Sequence, residues 1–324
     1  MNTNSSPNDA TPVLPSGTSN VIVSLFVLSV FGLFLELLLI RWVTTEIRIF
    51  AYLQNTVLVV CFLGLGMGCW SCRTPFRLRD VLVPLLVLAV LLSLPVTRVA
   101  LGRISEMLSA FSNFLIWEEG LDTGWKAIAA GVLGLSLTLV LMVLIWEIFV
   151  PIGRLLGQLF DSSPNTLRAY TVNVAGSIAG IWLFVLLSVL CLPPVAWFAA
   201  AGVLALYFLP NGKERRRDLA LLAALVGCGW LAGLEPGAAD VIWSPYQKLA
   251  LFKTTPRQSE HEANGLTVSQ LLRGERALHI ADNVDGFLVN VNNAGFQLMY
   301  DLRHETLAKL AVTHPQDYPP AQLG

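Results

Sequence analysis

Seven apolar stretches follow one another along this chain with hardly a charge inside them. They cover residues 21–43, 53–70, 81–97, 126–149, 170–190, 193–210 and 219–234. A helix crossing the hydrocarbon core of a bilayer needs ~20 apolar residues at ~1.5 Å of rise each. Most of the stretches meet that length, and the last is marginal. The sequence therefore predicts an α-helical polytopic membrane domain of about seven transmembrane helices over residues 21–234. Only 13% of the 324 residues are charged, against ~25% in soluble domains. Residues 1–20, rich in Pro, Ser and Asn and without Lys or Arg, read as a disordered leader, since a signal peptide starts on basic residues.

Orientation follows from the basic residues of short loops. Arg73, Arg77 and Arg79, then Arg154 and Arg168, then Lys213, Arg215, Arg216 and Arg217 fall on one side of a seven-helix alternation, nine in all. Arg41, Arg48, Arg98, Arg103 and Lys126 fall on the other, giving five. The N-terminus is then cytoplasmic and the C-terminal tail lies on the far side, unless the marginal last helix fails to cross. Trp42, Trp70, Trp125 and Trp146 fall near expected helix ends, where indoles favour the headgroup layer. The amphipathic segment 98–125 reads as an interfacial helix.

Two charges lie inside the first stretch, in "LFLELLLIRW". Arg41 is near the interface and can snorkel. Glu36 is deeper, and an ionised carboxylate there costs ~2.5 kcal/mol or more without a partner or a wet cavity. The two are ~140° apart around a helix and do not face each other. Asn173 or Arg168 of a later helix is the expected partner. A structural interhelix hydrogen bond and a proton or substrate site both remain open for Glu36. Gly64 and Gly68, and again Gly176 and Gly180, form GxxxG pairs that allow close helix packing. The run "GLGMG" (64–68) sits inside an apolar helix, so it is no phosphate loop. Cys69 and Cys72 make one CxxC with no second pair and no nearby His, which reads as small apolar filler rather than a metal site.

After Leu234 the composition changes. All four histidines and ten of the 22 acidic residues lie beyond it. Short alternating pieces, "VIWSPYQKLALFKT", "GLTVSQLLR", "ALHIADN" and "GFLVNVNNAGFQLMYDL", are separated by turn-rich segments. A helix, "HETLAKLAVTH", follows. Residues 235–324 thus read as a small, mainly antiparallel β region with one helix and no complete Rossmann domain. So small a layer buries little core, so one face is expected to stay apolar, with Trp243, Leu249, Leu251, Phe287 and Phe296 as its candidates.

The segments "SPYQKLALF", "NNAGFQLMYDL" and "HETLAKLAVTHP" resemble the N-terminal β region of the spermidine synthase (aminopropyltransferase) family. The stretches "LELLLIRW", "FLGLGMG" and "AYTVNVAGSIAGI" resemble the multi-span part of its bacterial membrane-bound relatives. The resemblance implies an inner-membrane protein. It also implies that Gln297, in the turn before the helix, hydrogen-bonds the aminopropyl donor, decarboxylated S-adenosylmethionine, and that Tyr246 and Gln247 sit on a strand bordering the cleft. The alternative is that Tyr246 is a half-buried strand aromatic and both glutamines are solvated surface residues.

The donor-binding glycine-rich turn and the catalytic aspartate of that family find no counterpart; Asp282, Asp285 and Asp301 occupy no matching position. The chain is thus expected to be a fragment or split-gene product, without catalytic residues or transferase activity of its own. Its expected partners are the lipid bilayer and a separate Rossmann-domain protein or a second copy, and no basic stripe points to nucleic acid. The rival reading is a non-enzymatic membrane scaffold or transport subunit whose tail binds a partner protein.

Overall fold

The computed structural model describes residues 18–47, 50, 54–102, 104, 125–210, 213–235, 237–254, 286–292 and 294–300. The chain divides into two compact units between Gly233 and Leu234. The first unit holds eight helices among the described residues. They are α1 (Thr18–Glu46), α2 (Gln54–Trp70), α3 (Leu78–Ser93), α4 (Pro95–Gly102), α5 (Trp125–Asp161), α6 (Thr166–Val189), α7 (Pro194–Leu206) and α8 (Lys213–Ala232).

Only three described helices are both long and apolar enough to cross a membrane: Val21–Glu46, Ile128–Asp161 and Thr166–Val189. By that measure the expected seven fall to three, and the reasons are local. The third apolar stretch breaks at Leu94, which is extended before Pro95, as a residue before proline prefers. That leaves α3 at 16 residues, while α2 has 17 and α7 only 13. The opening of α8 is charged, from Lys213 to Asp218. In the opposite direction, α5 outruns its expected end at 149 and continues through Pro151 to Asp161. Its 37 residues span ~55 Å, well beyond a ~30 Å hydrocarbon core.

Turn chemistry sets the remaining boundaries. Asn165 caps α6, its side chain accepting a hydrogen bond from the Arg168 amide at 3.1 Å. At the other end of α6, Cys191 takes a left-handed φ of 54°, the backbone state that usually terminates a helix at glycine. Pro193 and Pro194 then start α7, with proline in the first turn where its missing N–H is harmless.

The helices pair in a specific sense. On α6, Gly176 lies against the backbone of Phe26 and the Ser29 side chain, and Gly180 lies against Val30 and Phe34. Both numbers rise together, so α1 and α6 are parallel. On α2, Gly64 meets Trp146 and Phe149, and Gly68 meets Val150, Gly153 and Arg154, so α2 and α5 are parallel too. Arg79 and Glu214, in the first turns of α3 and α8, form an ion pair at 3.5 Å, so these helices start from the same end. By contrast α7 is antiparallel to α1: Phe198 packs on Trp42, while Phe208, just past α7, packs on Phe31.

Three loops are thereby gathered at one end. Gln158 Nε2 donates to the carbonyls of Cys72 and Thr74 at 2.7 and 2.9 Å, and Phe76 packs on Phe208. Ser24, near the start of α1, hydrogen-bonds Tyr207 at the same end. At the opposite end Glu46 and Arg98, both buried, lie 3.4 Å apart. Of the tryptophans expected at interfaces, Trp70 is 86% exposed but Trp42 is fully buried against Phe198; it is a core residue. Trp146 lies well inside α5 rather than at its end. Most of the segment expected as an interfacial helix (105–124) lies outside the described residues, its beginning being the end of α4.

The second unit is a four-stranded antiparallel sheet in the order β1-β2-β3-β4, with β1 Ala238–Trp243, β2 Lys248–Thr254, β3 Gly286–Val291 and β4 Ala294–Tyr300. The stretch 241–254, read as one strand, is a hairpin. Ser244 turns the chain: its Oγ donates to the Gln247 carbonyl at 2.8 Å and accepts from the Gln247 amide at 3.0 Å. The β3–β4 turn places Asn292 at φ 48°, and its side chain accepts from the Lys248 amide at 3.0 Å. The predicted strands within 264–283 and the helix at 304–314 lie outside the described residues.

Cross-strand register puts Ile242 beside Leu249, Leu249 beside Val291, Leu251 beside Val289, and Phe287 beside Met299. These side chains share one face, on which Ile242, Phe287 and Met299 are exposed. Leu249, Leu251 and Phe287 were expected there. Trp243 was as well, but it is buried on the other face with Lys248 and Ala250, because the turn places it directly opposite Lys248. The side chain of Phe296 lies outside the described residues.

Candidate functional site

Glu36 is a carboxylate buried within the helical unit. It is 1% exposed and lies in the second half of α1, with ten residues of helix still to follow. Ser29, Gly32 and Glu36 share one helix face by their spacing. Along that face the neighbours can be read off. Asn173 of α6 accepts from Ser29 Oγ at 2.8 Å. A side chain at Gly32 would touch Ile152 of α5 at 3.7 Å. Cys61 of α2, also buried, lies within electrostatic range of Glu36.

The expected partnership with Asn173 does not form. Asn173 is engaged two turns away at Ser29, which sequence reading overlooked because a serine in an apolar helix usually bonds its own backbone. Here the one Ser29 hydroxyl proton is shared between Asn173 Oδ1 and the Leu25 carbonyl, 2.7 Å away. Arg168 is exposed in the first turn of α6. Among the described residues Glu36 Oε2 has no hydrogen-bond partner. Arg41 is half-buried one turn further on, and its carbonyl accepts from Thr44 and Thr45.

The glycines expected to pack do so. Cβ atoms added at Gly68, Gly176 and Gly180 would come within 2.7 Å of backbone atoms on the facing helix, and one at Gly64 within 2.8 Å. Sequence reading missed Gly153, which meets Gly68 and Leu65, and Gly157 four residues on, which lies against Cys69 and Cys72. The expected end of the helix at 149 had placed them in a loop with Arg154. Cys69 and Cys72, at the end of α2, are free thiols beside Gly153 and Asp161. No group of three metal-ligating side chains occurs among the described residues.

The residues singled out in the tail are spread apart. Tyr246 and Gln247 lie in the Ser244–Gln247 turn rather than on a strand, and Tyr246 is 85% exposed. Gln297 lies within β4, opposite Val289, rather than in a turn, and it is exposed. The turn comes earlier, at Asn292, which carries the positive φ, while Gly295 is already paired with Asn290. The buried polar centre of this unit is instead Lys248, 1% exposed, whose Nζ lies 2.6 Å from Glu235 Oε2 and 5.4 Å from the centre of the Trp243 ring. Alternation hid it, since a lysine at the start of a strand reads as solvent-facing.

Comparison with protein-family models, with curated proteins and with solved structures finds no match to this chain.

Proposed function

We propose that the chain is a polytopic inner-membrane protein related to the membrane-bound spermidine synthases. In this reading it crosses the bilayer seven times, with its N-terminus in the cytoplasm, and carries a small β unit on the other side. The observation that carries the topology is the sense of helix packing. Take α4, only eight residues long, out of the count, so that α1, α2, α3, α5, α6, α7 and α8 cross in turn. The parallel pairs α1/α6, α2/α5 and α3/α8 then each join crossings of like direction, and the antiparallel pair α1/α7 joins crossings of opposite direction. Helices as short as α2 and α3 reach ~25 Å, a mismatch that a bilayer meets by local thinning. The nine basic residues belong to the end where these loops gather, which the positive-inside rule assigns to the cytoplasm.

The family relation rests on the quoted sequence segments. Aminopropyl transfer would need a sulfonium donor held in a Rossmann cleft and a carboxylate to deprotonate the amine. In this reading both come from residues other than those of this chain. The exposed apolar sheet face of Ile242, Phe287 and Met299 favours a second function, docking of a partner protein, as a scaffold or transport subunit would require.

In a cysteine-free background, Ser162→Cys, between α5 and α6, should resist a membrane-impermeant maleimide added from the periplasm, while Ala239→Cys in β1 should react. Both positions are exposed. Ready labelling of position 162 overturns the orientation, and protection of position 239 overturns the last crossing. The purified chain should neither bind decarboxylated S-adenosylmethionine nor turn over putrescine with it. Turnover by this chain alone sinks the non-catalytic reading. Activity restored by a separate Rossmann-domain protein supports the family relation.

A further inference from the structure

A carboxylate with an unpartnered oxygen in a packed helical core is an unstable arrangement in its ionised form. Glu36 has that arrangement, and among the described residues the charges around it offer no relief. Among the described residues α2, α5, α6 and α7 pack along α1, and α4 reaches its far end through Arg98. Neither α2 nor α7 contains a charged residue, and α2 presents the thiol of Cys61. On α5, Glu147 is exposed, Arg154 donates to Ser71 Oγ, and Lys126 and Asp161 lie near the two ends. The one charge of α6, Arg168, is exposed in its first turn. On α1 itself, Glu46 is paired with Arg98, and Arg41 lies ~140° around the helix.

We propose that Glu36 is a proton-binding site inside the membrane domain, occupied when α1 is packed against α2, α5 and α6. The ligand is the proton itself. Binding it removes the charge that burial disfavours and leaves a neutral acid, whose carbonyl oxygen tolerates an unmade hydrogen bond far better than a carboxylate oxygen does. The Ser29–Asn173 pair, on the same face two turns towards the basic end, is the nearest polar station on that side. It lies ~10 Å along the helix from Glu36, so a proton passing between them needs intervening water.

A hydrophobic carbodiimide reads this state directly, because it reacts with protonated carboxylic acids in apolar surroundings. The acid proton goes to one carbodiimide nitrogen, the carboxyl oxygen bonds the central carbon, and the adduct rearranges to a stable acylurea. The whole chain, purified in detergent, would be treated with dicyclohexylcarbodiimide across a pH series and the adduct located by peptide mass mapping. A single dominant adduct is expected at Glu36, in clear excess over Glu214 in the charged opening of α8. Above the midpoint its rate should fall about tenfold for each pH unit, as the protonated fraction does, and Glu36→Gln should abolish it. An adduct at Glu36 that is absent, or that shows no fall up to the highest pH the fold survives, overturns the proposal. The wild-type pH series decides the matter even if the Gln variant fails to fold.

Discussion

Gly68→Ala is expected to lower the stability of the helical unit by about 3 kcal/mol or more, at or above the usual cost of overpacking a core. The added methyl would overlap the Val150 carbonyl oxygen and sit 2.6 Å from Gly153 Cα and 2.7 Å from the Arg154 amide. Every one of these is backbone of α5, so no side chain can swing aside and the two helices must separate. Gly153→Ala runs into the Leu65 carbonyl in the same way and should behave alike. Gly66→Ala is the internal control. Nothing lies within 4 Å of its added Cβ, and alanine's better helix propensity is worth up to ~1 kcal/mol, so this change should be neutral or mildly stabilising. Thermal unfolding in detergent checks the contrast; equal midpoints for Gly68→Ala and Gly66→Ala would rule out the close α2–α5 contact.

In the sheet unit the largest effect is expected from separating Lys248 and Glu235. Glu235→Gln leaves a buried ammonium without its opposite charge, and breaking such a pair typically costs ~3–5 kcal/mol. The Trp243 ring 5.4 Å away recovers little of this, since a cation–π contact contributes ~0.5–2 kcal/mol and is already present. Amide hydrogen exchange in the full chain should accelerate across β1 and β2. The double change Glu235→Gln with Lys248→Met should restore most of the protection, because an apolar side chain of similar length fills the same space without a charge. Unchanged exchange in the single variant would show that Lys248 is solvated in solution.

Much of the helical unit was legible from its sequence because the bilayer imposes one dominant rule, apolar length. The stretches at 53–70 and 193–210 became α2 and α7 to within a few residues of their expected bounds. What the rule could not supply was whether each stretch is long enough on its own, which depended on particulars such as Pro95 ending α3. The rule also erred in the opposite sense: the stretch was expected to end at 149 with Arg154 in a loop, yet α5 runs on through Pro151, and the Gly153/Gly157 pair went unseen. Gly64, Gly68, Gly176 and Gly180 were readable because close packing demands one residue type. Glu36 was readable as an anomaly but its surroundings were not, since Cys61 and Ile152 come from helices whose orientation no local pattern encodes. In the sheet unit, a four-residue turn at Ser244 reversed the expected placement of Tyr246, Gln247 and Trp243. Period-two reading is vulnerable to one unrecognised turn in this way.

The parallel pairing of α1 with α6 also has a consequence in time. Ser29 and Asn173, which hold the two helices together, are separated by 144 residues. At ~5–20 residues per second of synthesis, α1 enters the membrane on the order of ten seconds before its partner exists. During that interval the α1 face that carries Ser29 and Glu36 lacks its α6 neighbour. The helix must wait in lipid or in the insertion machinery with its acidic residue uncovered.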